Sequence, residues 1–161
     1  MSDRTQKSKK FDLIIWGSTG YTGKLVCEYI LKNYKKTNLN WALGGRNELK
    51  IKTLISSLNL KNIPYLIADC NDKSSLLEMT KMTRTICSTV GPYAKYGTLL
   101  VEACIKSKTN YCDITGETHW IREIIDKYHN KALKNKVKII HACGFDSVPS
   151  DLGVLYAQNK M

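Results

Sequence analysis

Residues 11–31, FDLIIWGSTGYTGKLVCEYIL, constrain this chain more than any other segment. Six residues rich in large apolar side chains, Phe11–Trp16, are short enough for a buried strand, and Gly17, Gly20 and Gly23 follow at a spacing of three. A helix-compatible run from Lys24 to Leu31 comes directly after. Strand, glycine turn and helix in that order form the unit in which backbone holds a phosphate-bearing ligand. The first glycine lets the chain turn sharply, the second leaves room for a pyrophosphate, and the third lets the helix lie close on the strand. The helix N-terminus then points its free N–H groups at the anion. The spacing G-x-x-G-x-x-G departs from the commoner G-x-G-x-x-G by carrying Thr19 where the second glycine would stand. Glycines alone mark turns; their place between strand and helix makes a dinucleotide or a related phosphate ligand the expected one.

The alternation continues along the chain. Strand patterns cover residues 11–16, 39–43, 63–68, 85–90, 111–114 and 137–142. Helical patterns cover residues 22–34, 47–58, 73–82, 98–106 and 118–134, with a last helix from Pro149. The expected apolar stripes are Leu25, Tyr29 and Lys32 in the first helix and Leu54, Ile55 and Leu58 in the second. In the long helix they are Ile121, Ile124, Ile125 and Tyr128. Asn47 is the expected N-cap of the second helix, and Asn71 or Asp72 that of the third. Six strands separated by helices imply an α/β fold with a doubly wound parallel sheet of the Rossmann type, because each parallel neighbour needs a crossover.

In such sheets ligands sit at the carboxyl ends of the strands, so the loops there carry the chemistry. After the second strand comes Gly44-Gly45-Arg46-Asn47, with no carboxylate before Glu48. A carboxylate there would take the ribose hydroxyls of NAD, whereas Arg46 offers a planar cation suited to the 2′-phosphate of NADP. NADP is therefore the expected cofactor ahead of NAD; the plain alternative makes Arg46 a surface residue. Asp69 faces two readings, acceptor for an adenine amino group or part of a helix cap. Gly91 closes the fourth strand where a nicotinamide would lie, and Tyr93, Lys95 and Tyr96 follow as candidate proton donors or positioning groups. Asp113 falls within a strand pattern and needs a partner or an exposed strand end. Asp146, Ser147, Ser150 and Asp151 precede the last helix, where they either cap it or touch a ligand. Tyr156 and Lys160 share a Y-x-x-x-K spacing, but on the helix after the sixth strand, and the match is read as coincidence. The cofactor-binding set is Gly17, Ser18, Thr19, Gly20, Tyr21, Thr22, Gly23, Arg46, Asp69 and Gly91, with no residue assigned to catalysis and no metal site.

Net charge is +11, and residues 1–10 contain four cations against Asp3, which reads as a flexible basic tail ahead of the domain at 11–161. Lys131, Lys134, Lys136 and Lys138 form a second cluster. No nucleic-acid motif accompanies the charge, so nucleic acid is not an expected partner. The six cysteines form no C-x-x-C pair and no metal spacing with the three histidines, and reduced thiols are expected. No stretch approaches the ~20 apolar residues of a membrane span.

Five motifs in order resemble the saccharopine dehydrogenase-like oxidoreductases. They are GSTGYTG from Gly17, GGR from Gly44, VGPY from Val90, YCDITGE from Tyr111 and GFDSVPSDLG from Gly144. The resemblance covers residues 11–161. It implies the N-terminal NAD(P)-binding domain of an oxidoreductase, with relatives among mycobacterial trans-acting enoyl reductases and animal proteins of lipid droplets and mitochondria. It further implies hydride transfer to an unsaturated or carbonyl-containing, lipid-like substrate, an intracellular setting, association with a lipid surface, and oligomers of the full-length protein. Relatives continue into a second domain that builds the substrate site, so this chain reads as a fragment or a truncated product. The competing function is a non-catalytic scaffold or sensor that holds the cofactor and acts by partner binding.

Overall fold

In the computed structural model, which describes residues 9–161, β1 (Phe11–Trp16) lies inside a six-stranded parallel sheet. The chain continues through α1 (Tyr21–Asn33), β2 (Trp41–Gly45), α2 (Glu48–Ser57), β3 (Tyr65–Ile67), α3 (Lys73–Lys81) and β4 (Thr83–Ser88). The short α4 (Tyr93–Tyr96), α5 (Thr98–Lys106), β5 (Asn110–Asp113), α6 (Thr118–Asn135), β6 (Ile139–Ile140) and α7 (Val148–Gln158) follow. Strand order is β3-β2-β1-β4-β5-β6, and every neighbouring pair is parallel. This is the Rossmann order, and its direction reverses between β1 and β4, where the carboxyl ends open a crevice.

A central parallel strand must be apolar on both faces, and β1 is. Ile14 and Trp16 join the core formed with α3, α5 and α6, while Leu13 and Ile15 face the core formed with α1 and α2. Ile14 and Ile15 are fully buried, each worth about 1.5–3 kcal/mol of transfer free energy. The helix starts follow the sequence: Asn47 Oδ1 accepts from Lys50 N–H at 3.0 Å, and Asp72 Oδ1 from Ser74 N–H at 2.9 Å.

Several local expectations change. On α1 the buried residues are Gly23, Cys27 and Ile30, while Leu25 and Tyr29 are 47% and 61% exposed. The close approach of Gly23 to the loop fixes the rotation of the helix and overrides the apolar stripe. On α2, Ile51 joins Leu54 in the core, with Ile55 and Leu58 only partly buried. On α6, Trp120, Ile124, Tyr128 and Ala132 are buried and Ile125 is exposed. Strand β2 runs into Gly44 and Gly45, because a Cβ on Gly44 would stand 2.9 Å from Ile14 Cγ2 and only glycine fits beside β1 there. At the sheet edge β6 pairs over two residues only, and Ala142, at φ 56°, has left the extended region.

Residues 1–8 of the expected tail lie outside the described residues. Lys9, assigned to that tail, is instead held by the domain. Its ammonium donates to the carbonyls of Ser107 at 2.8 Å, Lys108 at 3.2 Å and Thr80 at 3.4 Å, and to the Thr109 hydroxyl. Burial lowers its pKa to about 8. Among the described residues no helix is long and apolar enough to cross a membrane.

Candidate functional site

The glycine loop is anchored at its base and open at its crest. Gly17 leaves β1 at φ +85°, a conformation that favours glycine. Three donors converge on the Gly44 carbonyl: Gly17 N–H at 3.0 Å, Ser18 N–H at 3.2 Å and Ser18 Oγ at 3.1 Å. The Gly17 carbonyl accepts from Gly20 N–H at 2.9 Å and from Thr89 Oγ1 at 3.3 Å, which ties the loop to the end of β4. A Cβ on Gly23 would meet Gly17 O at 2.1 Å, so this glycine sets the packing of α1 on the loop. Gly20, the N-cap of α1, has ordinary extended backbone, and a Cβ there would find only Gly17 O within 4 Å, at 3.3 Å. That contact is tight, so a side chain at position 20 needs the Gly17 carbonyl to give by a few tenths of an ångström, far less than at Gly23.

A cavity of about 280 Å³ lies beside that crest. Trp16, Gly17, Thr19 and Gly20 line it from the loop, Gly45 and Arg46 from the end of β2, and Cys70 from beyond β3. Thr89, Val90, Gly91 and Tyr96 close it from the β4 side. Five of the ten expected binding residues thus meet in one cavity: Gly17, Thr19, Gly20, Arg46 and Gly91. Ser18 is buried and serves the base of the loop, and Gly23 serves helix packing. Tyr21, 84% exposed, and Thr22 lie in the first turn of α1 but outside the lining. Asp69 also stands outside: its carboxylate accepts from Asn71 N–H at 2.8 Å, a turn contact of the capping kind. Among the described residues no ion pair engages Arg46. Its charge opposes the rise that burial and Asp69 impose on the pKa of the Cys70 thiol, which places it beside the cavity.

Sequence reading missed Trp16, Gly45, Cys70, Thr89 and Val90 as lining residues. All five sit at or just after strand ends, so the rule that named the loops marks where they lie. Tyr96 was singled out and does line the cavity. Tyr93 was singled out too, but it is buried; its hydroxyl donates to Ser88 O at 3.0 Å, and burial raises its pKa far above the ordinary range. It stacks on Trp120 with ring centroids 5.6 Å apart and holds α4 in place. The Glu117 carboxylate caps α4, accepting from Tyr93 N–H at 2.6 Å and Ala94 N–H at 2.9 Å. Asp113 has the partner its burial demands: His141 Nδ1 lies 2.8 Å from Oδ2, and Oδ1 accepts from Thr115 N–H and Ala142 N–H, each at 3.2 Å. A second cavity, about 340 Å³ between α6 and β6, is lined mainly by apolar residues such as Ile124, Leu133 and Ile140 and has no glycine or helix N-terminus.

A backbone cradle at a helix N-terminus, left open by Gly20 and flanked by an unpaired arginine, fits a phosphorylated dinucleotide. Residues 13–140 match the saccharopine dehydrogenase NADP binding domain. The chain belongs to that family. It is 38% identical over 148 residues to a trans-acting enoyl reductase of Mycobacterium leprae (strain TN), covering 91% of this chain and 35% of that protein. It is 34% identical over 157 residues to a lipid droplet localized protein of Caenorhabditis elegans, covering 94% and 37%. Apo saccharopine dehydrogenase (L-Glu forming) from Saccharomyces cerevisiae superposes with a TM-score of 0.75 at 17% identity, over 93% of this chain and 31% of that one. The saccharopine dehydrogenase NADP binding domain described here therefore spans little more than a third of the curated relatives it matches, and NADP is its cofactor.

Proposed function

We propose that this domain holds NADP(H) in the 280 Å³ cavity and serves an oxidoreductase that acts on an unsaturated or carbonyl-containing lipid. The observation that carries the reading is the cavity at the crest of the glycine loop, where Gly20 presents bare backbone at the start of α1. Gly17 shapes the turn, Gly20 lets a pyrophosphate reach the first N–H groups of α1, and Thr19 borders it. Arg46 takes the 2′-phosphate by charge-assisted hydrogen bonds. Val90, Gly91 and Tyr96 form the wall against which a nicotinamide would rest. The cofactor, when bound, supplies the hydride; the protein binds it, orients it and excludes water. Ser18 and Thr89 keep the loop in register with β2 and β4, so the cradle is formed before the ligand arrives.

The lipid substrate rests on the trans-acting enoyl reductase relative. A setting at the lipid droplet rests on the Caenorhabditis elegans relative, and neither relative supports a mitochondrial one. That second relative is named for a place and not a reaction, which supports the competing reading of a cofactor-bound scaffold at a lipid surface. NADPH oxidation by a full-length relative, with α,β-unsaturated acyl thioesters and long-chain ketones, separates the two, because this chain spans little more than a third of those proteins. Turnover that is lost when the counterpart of Gly20 becomes valine supports the reductase, whereas saturable NADPH binding without turnover on any of these supports the scaffold.

A further inference from the structure

Two thiols lie side by side on a part of the sheet to which neither the fold nor the cofactor assigns a use. Cys87 on β4 and Cys112 on β5 are direct register partners in a parallel pair, so both project from the same face. That face is the one covered by α1 and α2 over β1–β3. Farther along the same row the cover thins: Cys87 and Cys112 are half-buried, and Ile140, the partner of Cys112, is 51% exposed. Neighbouring strands run about 4.8 Å apart, and a cystine spans Cα separations of about 4.4–6.8 Å. The backbone therefore already holds this pair at bridging distance. The other cysteines are placed differently: Cys27 and Cys104 are fully buried, Cys70 faces the dinucleotide cavity, and Cys143 is exposed in the loop before α7.

We propose that Cys87 and Cys112 form a hydroperoxide-responsive dithiol that closes reversibly to a cystine across β4 and β5. Contact with the Cys112 thiol pulls the Cys87 pKa below its ordinary value against the opposing effect of burial, and the same contact, with burial, raises that of Cys112. One member of the pair is thus favoured as thiolate, the form that attacks. Cys87 first gives its proton to solvent; the thiolate attacks a peroxide oxygen, the O–O bond breaks, and the departing hydroxide takes up a proton from solvent to leave as water. Cys112 sulfur then attacks the resulting sulfenic acid, the S–O bond breaks, and a second water leaves with the Cys112 proton. One peroxide is reduced and two thiols are oxidised. Cys87 stands two residues before Thr89, whose hydroxyl holds the Gly17 carbonyl, so this chemistry occurs next to the wall of the cavity.

The test is peptide mapping of the folded full chain after mild hydrogen peroxide, with free thiols alkylated and trypsin omitting any reductant. Cys87 and Cys112 fall in different tryptic peptides, beginning at Thr85 and Thr109. The expected result is one cross-linked pair of those peptides, a loss of two titratable thiols, and their return with dithiothreitol. In Cys112→Ser the same treatment should leave Cys87 as a sulfenic acid trapped by dimedone. Oxidation confined to Cys143, a Cys112–Cys143 bridge, or six thiols still free would each overturn the proposal.

Discussion

Two glycines of one loop should fail in opposite ways when each becomes alanine. At Gly23 a methyl carbon would stand 2.1 Å from Gly17 O, 2.8 Å from Gly17 C and 2.9 Å from Ser18 Cα. All three are backbone atoms, so no side chain can turn aside, and the shortest contact falls more than an ångström inside van der Waals distance. Helix α1 must move off the loop, and overpacking of this kind costs about 1–3 kcal/mol, with the upper end expected here. For a chain of this size each kcal/mol lowers Tm by about 2–4 °C, so Gly23→Ala should melt about 6–12 °C below the parent. At Gly20 the single neighbour is 3.3 Å away and the backbone is extended. Gly20→Ala should melt much nearer the parent, at a cost of no more than about 1 kcal/mol, because only one backbone contact must give slightly and alanine caps a helix less well than glycine. The same variant should bind NADPH more weakly, because the methyl enters the cradle. Thermal melts by circular dichroism and NADPH fluorescence titrations read both effects. A Gly23→Ala protein that melts with the parent would refute the packing argument, and a Gly20→Ala protein that melts as early as Gly23→Ala would refute the division of roles.

Other perturbations should follow the same geometry. Arg46→Ala should weaken NADP about ten- to a hundredfold, the equivalent of about 1.5–3 kcal/mol for a charge-assisted contact, and leave NAD nearly unchanged; calorimetric titration with both cofactors checks it. Asp113→Ala strands His141 Nδ1 and the amides of Thr115 and Ala142 in the interior, and should cost about 3 kcal/mol in urea unfolding. An unchanged midpoint would show that the pair contributes nothing to holding β6. Iodoacetamide at pH 8 should label exposed Cys143 well ahead of Cys27, which burial pushes up to about 12 and which stays unlabelled until the chain unfolds; time-resolved peptide mapping reads the order.

Much of this fold is legible because its rules are local. Apolar runs separated by helical periodicity mark six strands, a crossover between each pair makes them parallel, and Asn47 and Asp72 announce helix starts by their own chemistry. The features that were not legible depend on contacts distant in sequence. The glycine spacing announces that Gly23 brings α1 close, but nothing near Leu25 or Tyr29 shows that this turns Cys27 and Ile30 toward the sheet. Gly44 reads as a turn residue until β1 lies beside it and Ile14 leaves no room for a Cβ. Glu117 looks like a helix-start carboxylate, yet it caps a different helix, α4, whose existence the VGPYAKYG segment does not announce. In the site, residues at strand ends can be located from the alternation, whereas the division between Ser18 at the base and Gly20 at the crest needed coordinates.

The crest at Gly20 and the charge of Arg46 are proposed to hold NADP(H) together. Titration of NADPH into the parent chain and into Gly20→Val, with circular dichroism of both, tests it most directly. Saturable one-to-one binding by the parent, none by a variant that keeps its native spectrum, and tighter binding of NADP than of NAD are expected. Equal affinity of parent and variant for NADPH would contradict it.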